Sequence, residues 1–278
     1  MPRSCLRANL VVWASLIAAI ATADPPSVSA GGSAVAEAFD RVVLIRSKTE
    51  PDPQQPAAAP EEPTAAEGKD KTSGRPRSMS GTGFFLRDGD RSFLVTARHV
   101  AVALAPNAEL SFLNARRDSR TIRLTGLLRG PEDLRWRHHE TADVSLIQVY
   151  PRGEPSQDVA ALSVERDALL RSPPARGSQA MVCGFFMREG THERLAPLVA
   201  TVHVASEVMP VAFNGKLIEA FLVNPPAGSG FSGGPVYCRD LESGRPRCIG
   251  VTSGVIGDQS GGKFSTVMPC STIVDLLE

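Results

Sequence analysis

The chain has 278 residues, with 30 Lys and Arg against 30 Asp and Glu, so its formal net charge is zero. A balanced charge excludes an electrostatic nucleic-acid binder, whose affinity rests on a basic face. Hydrophobic residues make up 42%, enough for a buried core, and 24 glycines and 22 prolines without long helical periodicity point to an all-β chain.

Residues 1–23 read as a secretory signal. Arg3 and Arg7 precede an apolar run from Leu10 to Ala21, and Ala21-Thr22-Ala23 fits an A-x-A cleavage site. The run is too short for a comfortable membrane span. The expectation is a secreted or periplasmic protein with no stable membrane span after cleavage; an uncleaved N-terminal anchor is the alternative. Residues 24–34 are small and polar and read as a flexible mature terminus.

A first strand, Arg41-Val42-Val43-Leu44-Ile45-Arg46, opens a domain over residues 35–150. Residues 48–78 follow, rich in Pro, Ala, Glu and Lys, and predict a disordered loop inside that domain. Lengthening such a loop from about six to about thirty residues costs only about 1.4 kcal/mol. Gly81 to Leu86 and Ser92 to Ala97 form a hairpin around the turn Asp88-Gly89-Asp90, and Val100 to Leu104 can make one helical turn. Glu109 to Leu113, Thr121 to Leu128 and Val144 to Val149 complete six strands. Residues 151–178 read as a linker.

Residues 179–278 offer six more strands: Gln179 to Gly184, Pro197 to Ser206, Lys216 to Val223, Pro235 to Cys238, Cys248 to Ser253 and Gly262 to Met268. A short helix ends the chain, with Ser271 or Thr272 near its N-cap. Secretion permits disulfides. Cys238 and Cys248 flank a nine-residue turn between strands that should pair, which predicts a cross-strand disulfide. Whether Cys183 pairs with Cys270 is left open.

Three segments carry chemistry. Gly228-Ser229-Gly230-Phe231-Ser232-Gly233-Gly234-Pro235 places a serine at a tight glycine turn, which presents a hydroxyl with backbone N–H groups free beside it. Upstream lie Phe93-Leu94-Val95-Thr96-Ala97-Arg98-His99-Val100 and Thr141-Ala142-Asp143-Val144-Ser145-Leu146-Ile147. The G-x-S-x-G pattern also marks α/β-hydrolases, but that fold needs a histidine after the serine. The five histidines are His99, His138, His139, His192 and His203, and none follows Ser232.

In order and near-family spacing, 44 residues and then 89, these segments resemble the His, Asp and Ser motifs of trypsin-like serine proteases, with the bacterial HtrA-like peptidases most similar. The resemblance spans about residues 35–278 and implies an all-β double barrel: two six-stranded antiparallel β-barrels of chymotrypsin-like type with a short C-terminal helix. It implies a serine endopeptidase acting on protein or peptide without a cofactor. Ser232 is then the nucleophile, His99 the base and Asp143 its orienting acceptor, with the Gly230 and Ser232 amides as oxyanion hole. Ser253 or Thr252 should lie beside Asp143. The substrate pocket should be lined by Pro226, Ala227, Gly228, Ser229, Ser253, Gly254 and Val255, together with the strand near Phe264 to Thr266. These segments hold no acidic residue, so a small or medium aliphatic side chain is expected there.

Asp133 competes with Asp143, which is preferred because it opens an apolar strand. His138 and His139 are adjacent and should point apart into solvent, so no metal site is expected. His203 alternates with Val202 and Val204 and should face solvent; His192 sits in a charged segment. Phe231 stands where animal trypsin-like enzymes carry the aspartate of their zymogen switch, and no Ile-Val-Gly-Gly start occurs. Arg98 needs solvent or a partner. A PDZ domain is not expected after the last helix, so recognition of chain ends is not implied. The alternative reading is a catalytically silent or latent protease-fold binding module, gated by the 48–78 loop or a partner.

Overall fold

The computed structural model describes residues 39–48, 78–114, 116–186, 195–213, 215–240 and 243–278. The expected signal segment, the mature terminus, residues 49–77 of the predicted loop and His192 lie outside them.

The first half forms a sheet from β1 (Val43–Lys48), β2 (Ser78–Asp88), β3 (Arg91–Thr96), β4 (Glu109–Leu113), β5 (Ser119–Arg123), β6 (Arg137–His138) and β7 (Ser145–Val149). Their order is β5-β4-β1-β2-β3-β7-β6, and a short β8 (Val164–Glu165) runs parallel to β2. Lys48 pairs with Ser78, so the strands on either side of residues 49–77 are neighbours in one sheet.

The second half comprises β9 (Gln179–Gly184), β10 (Leu198–Val204), β11 (Met209–Phe213), β12 (Lys216–Asn224), β13 (Pro235–Arg239), β14 (Pro246–Gly257) and β15 (Lys263–Pro269). The order β10-β9-β13-β14-β15-β12 closes through a β10–β12 pairing into a six-stranded ring, and β11 hangs on β12 as a hairpin. The molecule is a chymotrypsin-like double β-barrel. Among the described residues three α-helices accompany it: α1 (Arg98–Val102), α2 (Glu154–Leu162) and α3 (Ser271–Leu277). Among the described residues no helix is long and apolar enough to cross a membrane.

Strand alternation builds three cores. Phe85 of β2 points into the first barrel with Ile45, Leu94, Phe112 and Ile147, and meets the Phe112 ring edge-on at 5.8 Å. Its neighbours Phe84 and Leu86 face the opposite way, into a core that joins the two barrels and includes Tyr237, Cys248, Met268 and α3. Val182, Val202, Phe221, Phe231, Val236 and Val267 fill the second barrel. A fully buried side chain of this size is worth about 1.5–3 kcal/mol, so the shared core fixes the position of one barrel on the other.

Several expectations need correction. The linker 151–178 contains α2 and β8. The predicted strand 121–128 ends at Arg123, and Leu124–Leu127 is a 3-10 turn that buries Leu124 and Leu127. The last helix runs over Ser271–Leu277, close to its expected bounds, with Cys270 as its N-cap residue and Ser271 next to it.

The predicted Cys238–Cys248 disulfide is absent. β13 and β14 pair Val236 with Gly250, but then Tyr237 with Cys248 and Cys238 with Arg247. Had the first register continued, Cys238 would face Cys248. A bulge at Ile249 slips the pairing by one residue, and a one-residue slip sends side chains to opposite faces. Cys238 accordingly faces the second barrel's interior and Cys248 the shared core. All four described cysteines are free.

Candidate active site

β3 delivers the chain to α1, whose second residue is His99. The Asp143 turn closes against α1 from below. The Arg98 amide donates to the Asp143 carbonyl at 3.2 Å, and the His99 amide donates to Asp143 Oδ1 at 2.9 Å. His99 Nδ1 lies 2.7 Å from Asp143 Oδ2. A carboxylate on Nδ1 holds the proton there and leaves Nε2 as the basic nitrogen. Nε2 has no protein partner among the described residues.

Ser253 Oγ donates to the same Asp143 Oδ2 at 2.5 Å. Ser253, not Thr252, is therefore the residue beside the carboxylate. Burial pushes the Asp143 carboxyl up, but its hydrogen bonds and charge interaction with His99, joined by the Ser253 hydroxyl, outweigh this and hold it below the ordinary range.

Ser232 sits in the turn before β13, and its Oγ donates to the Ser253 carbonyl at 2.7 Å. Ser253 thus touches Asp143 with its hydroxyl and Ser232 with its carbonyl. The Ser232 turn needs its glycines. Gly230 has φ +97°, a left-handed conformation costly to other residues. Gly233 has φ +88°, and a Cβ there would stand 2.0 Å from the Thr82 carbonyl oxygen. The backbone N–H groups of Gly230 and Ser232 donate to no protein acceptor among the described residues.

Two residues hold this turn, and sequence reasoning singled out only one of them, Phe231. Thr82, on β2 of the first barrel, donates its N–H to the Ser232 carbonyl at 2.8 Å and its Oγ1–H to the Gly230 carbonyl at 2.7 Å. Thr82 Oγ1 also accepts the Phe185 N–H at 3.1 Å, and the Thr82 carbonyl accepts Thr96 Oγ1–H at 2.7 Å. Nothing local marks Thr82 in the sequence, because its partners lie 103 and 148 positions away. Phe231 is the second holder: its ring lies in the second barrel's core, against Gly184. An apolar anchor replaces a charged one.

Beside Ser232 a cavity of about 200 Å³ is lined by Ala227, Gly228, Ser229, Thr252, Gly254, Val255 and Ser265. No charged side chain lines it. Of the expected pocket residues, Pro226, Ser253, Phe264 and Thr266 do not line it, Ser265 of the expected strand does, and Thr252 is an addition. A second cavity, of about 350 Å³, adjoins His99 and Asp143 between Val102 and the β11–β12 hairpin, which supplies Phe213, Leu217 and Ile218. The sequence reading missed β11, so it missed this wall.

Arg98 finds a partner in the His139 carbonyl, at 3.0 Å. His139 is not solvent-facing as expected. Its Nδ1 accepts the Thr141 and Ala142 N–H groups at 3.2 and 3.0 Å, and Nε2 lies 3.6 Å from Asp275 of α3. His139 therefore shapes the turn that carries Asp143. His138 points away to Ser145 Oγ at 2.6 Å. His203 is exposed, as the alternation predicted. Asp133 is engaged locally, accepting the Arg129 N–H at 3.1 Å.

No protein-family profile matches the sequence, and no curated protein does. Solved structures match in fold. The MamO protease domain from Magnetospirillum magneticum aligns with TM-score 0.53 at 15% identity, covering 87% of this chain and 98% of that one. The HtrA-type protease AlgW, solved with a tripeptide, aligns with TM-score 0.53 at 14% identity over 89% of this chain and 62% of AlgW. This chain thus spans less than two thirds of AlgW. The Rv3671c protease from M. tuberculosis, solved in active and inactive forms, aligns in its active form with TM-score 0.53 at 18% identity, over 92% of this chain and 87% of that one. Identities this low speak to the fold alone, and the fold is that of HtrA-type, trypsin-like serine proteases.

Proposed function

We propose that this chain is a serine endopeptidase that hydrolyses peptide bonds through an acyl-enzyme. One observation carries the proposal: an aspartate-anchored imidazole from the first barrel and a serine turn from the second meet on a single residue, Ser253. A serine hydroxyl is a weak nucleophile and needs a base held in one tautomer. Asp143 holds His99 with Nε2 free. Ser232 exchanges the Ser253 carbonyl for that nitrogen as it attacks the substrate carbonyl. His99 takes the Ser232 proton and returns it to the leaving amine, a role worth about 10²–10⁴ in rate. The unengaged amides of Gly230 and Ser232 receive the oxyanion, each donor being worth about 3–4 kcal/mol.

The small uncharged cavity beside Ser232 suits a small or medium apolar side chain preceding the cleaved bond. The tripeptide bound to AlgW supports a peptide ligand. The secretory pattern of residues 1–23 supports a secreted or periplasmic site of action.

The test is labelling of the purified full chain with a fluorophosphonate probe, with Ser232→Ala as control. Labelling lost in the variant supports an activated serine. A folded wild-type chain that stays unlabelled favours a second reading, a latent or silent binding module. One observation speaks for that reading: the Ser232 hydroxyl donates to the Ser253 carbonyl, not to His99.

A further inference from the structure

The core shared by the barrels contains three buried thiols, from Cys183, Cys248 and Cys270, beside the buried hydroxyl of Tyr237. Two of the thiols are in contact. Cys270 Sγ lies 3.6 Å from Cys248 Sγ and 3.2 Å from the Cys248 carbonyl oxygen. The backbones run together there as well, since the Cys270 N–H donates to the Ile249 carbonyl at 3.3 Å. Cys238 is turned away into the second barrel by the Ile249 bulge.

We propose that Cys248 and Cys270 form a disulfide when the chain folds under oxidising conditions. The bond links β14 to the residue that starts α3, across a separation of 22 positions. The enclosed segment contains Ser253, which joins Asp143 to Ser232, and Gly254 and Val255, which line the cavity beside Ser232. The inference is independent of the proposed hydrolysis.

The oxidant is a small-molecule disulfide such as oxidised glutathione. One cysteine, as thiolate, attacks it, forming a mixed disulfide and releasing one glutathione thiolate. The second cysteine then attacks the protein sulfur of that mixed disulfide and expels the second glutathione. The protein loses two protons and two electrons, and one glutathione disulfide becomes two thiols. Burial, reinforced by the neighbouring Cys248, holds the Cys270 thiol far above its ordinary pKa. The thiolate is the reactive form, so the folded chain should oxidise slowly and the bond should form during folding.

Trypsin places the four cysteines in separate peptides. Cys183 falls in 177–188, Cys238 in 217–239, Cys248 in 248–263 and Cys270 in 264–278. The full chain is refolded with a mixture of oxidised and reduced glutathione, alkylated, and digested without reduction. Peptides 248–263 and 264–278 should appear joined, and the chain's five thiols should fall to three. Cys183→Ser and Cys238→Ser should each leave that cross-link in place. The oxidised chain should melt about 6–12 °C above the reduced one. Five alkylated thiols in correctly refolded chain would overturn the inference. A cross-link joining 177–188 or 217–239 to 248–263 would also overturn it.

Discussion

Thr82 Oγ1 of the first barrel donates to the Gly230 carbonyl of the second at 2.7 Å, and the Thr82 amide donates to the Ser232 carbonyl two residues on at 2.8 Å. A peptide unit whose carbonyl is pinned cannot rotate freely. The two pinned peptide units, Gly230–Phe231 and Ser232–Gly233, flank the Gly230 and Ser232 amides assigned to the oxyanion, so the pairing restricts how those amides can turn. The first barrel thus contributes more than His99 and Asp143 to the proposed chemistry.

Thr82→Val keeps the shape and removes the donor, leaving the Gly230 carbonyl and the Phe185 amide without their partner. A buried unsatisfied group costs about 1–3 kcal/mol. Fluorophosphonate labelling should slow by about 10–100-fold, while Thr82→Ser retains most of the rate. If the valine variant labels at the wild-type rate, the bridge does not orient the turn.

Asp143→Asn should leave the fold intact and cut peptidase activity by about 10³–10⁴, because an amide no longer enforces the Nδ1–H tautomer. Steady-state hydrolysis of a peptide substrate reads this. A loss below tenfold would remove Asp143 from the mechanism.

The same carboxyl makes stability depend on pH. Its folded pKa lies below the unfolded value, so the charged form stabilises the fold above about pH 4. That contribution is lost as the pH falls through the folded value. Denaturant unfolding at pH 6 and near pH 3 should show a larger loss for wild type than for Asp143→Asn. Equal losses would contradict the direction of the shift.

Gly233→Ala meets the Thr82 carbonyl with a Cβ at 2.0 Å and adopts φ +88°. Both the contact and the backbone conformation are unfavourable, so the variant should lose several kcal/mol, roughly 3 or more. Gly244→Ala is the control, with φ +67° in a surface turn and no atom within 4 Å of the new Cβ. Melting temperatures that fall equally would show that strain, not contact with Thr82, is decisive.

The cavity beside Ser232 should set specificity. Val255→Gly removes one wall and should raise kcat/KM for substrates with Phe before the cleaved bond by at least about tenfold relative to Val. A matched pair of peptide substrates measures the ratio. An unchanged ratio would place the specificity pocket elsewhere.

Much of this was legible in the chain. Alternating Val202, His203 and Val204 announced a half-buried strand, and twelve of the strands follow from such patterns and their glycine or proline boundaries. His99, Asp143 and Ser232 stood out because each sits at the end of an apolar run, where strands hand side chains to a cleft. β11 escaped notice because Met209-Pro210-Val211-Ala212-Phe213 alternates weakly and carries a proline at its second position. The Cys238–Cys248 expectation failed on one inserted residue, since a bulge is a property of paired strands and not of either strand alone.

The sequence by itself determined the strand pattern, the glycine turn at Ser232 and the order of the three chemical segments, because these depend on neighbours within a few residues. Only the tertiary structure decided that Ser253 joins Asp143 to Ser232, that Thr82 and Phe231 hold the turn, and that Cys248 faces Cys270. Those contacts join residues 21 to 148 positions apart. Their geometry depends on how two barrels close and on which face of each strand a one-residue slip selects.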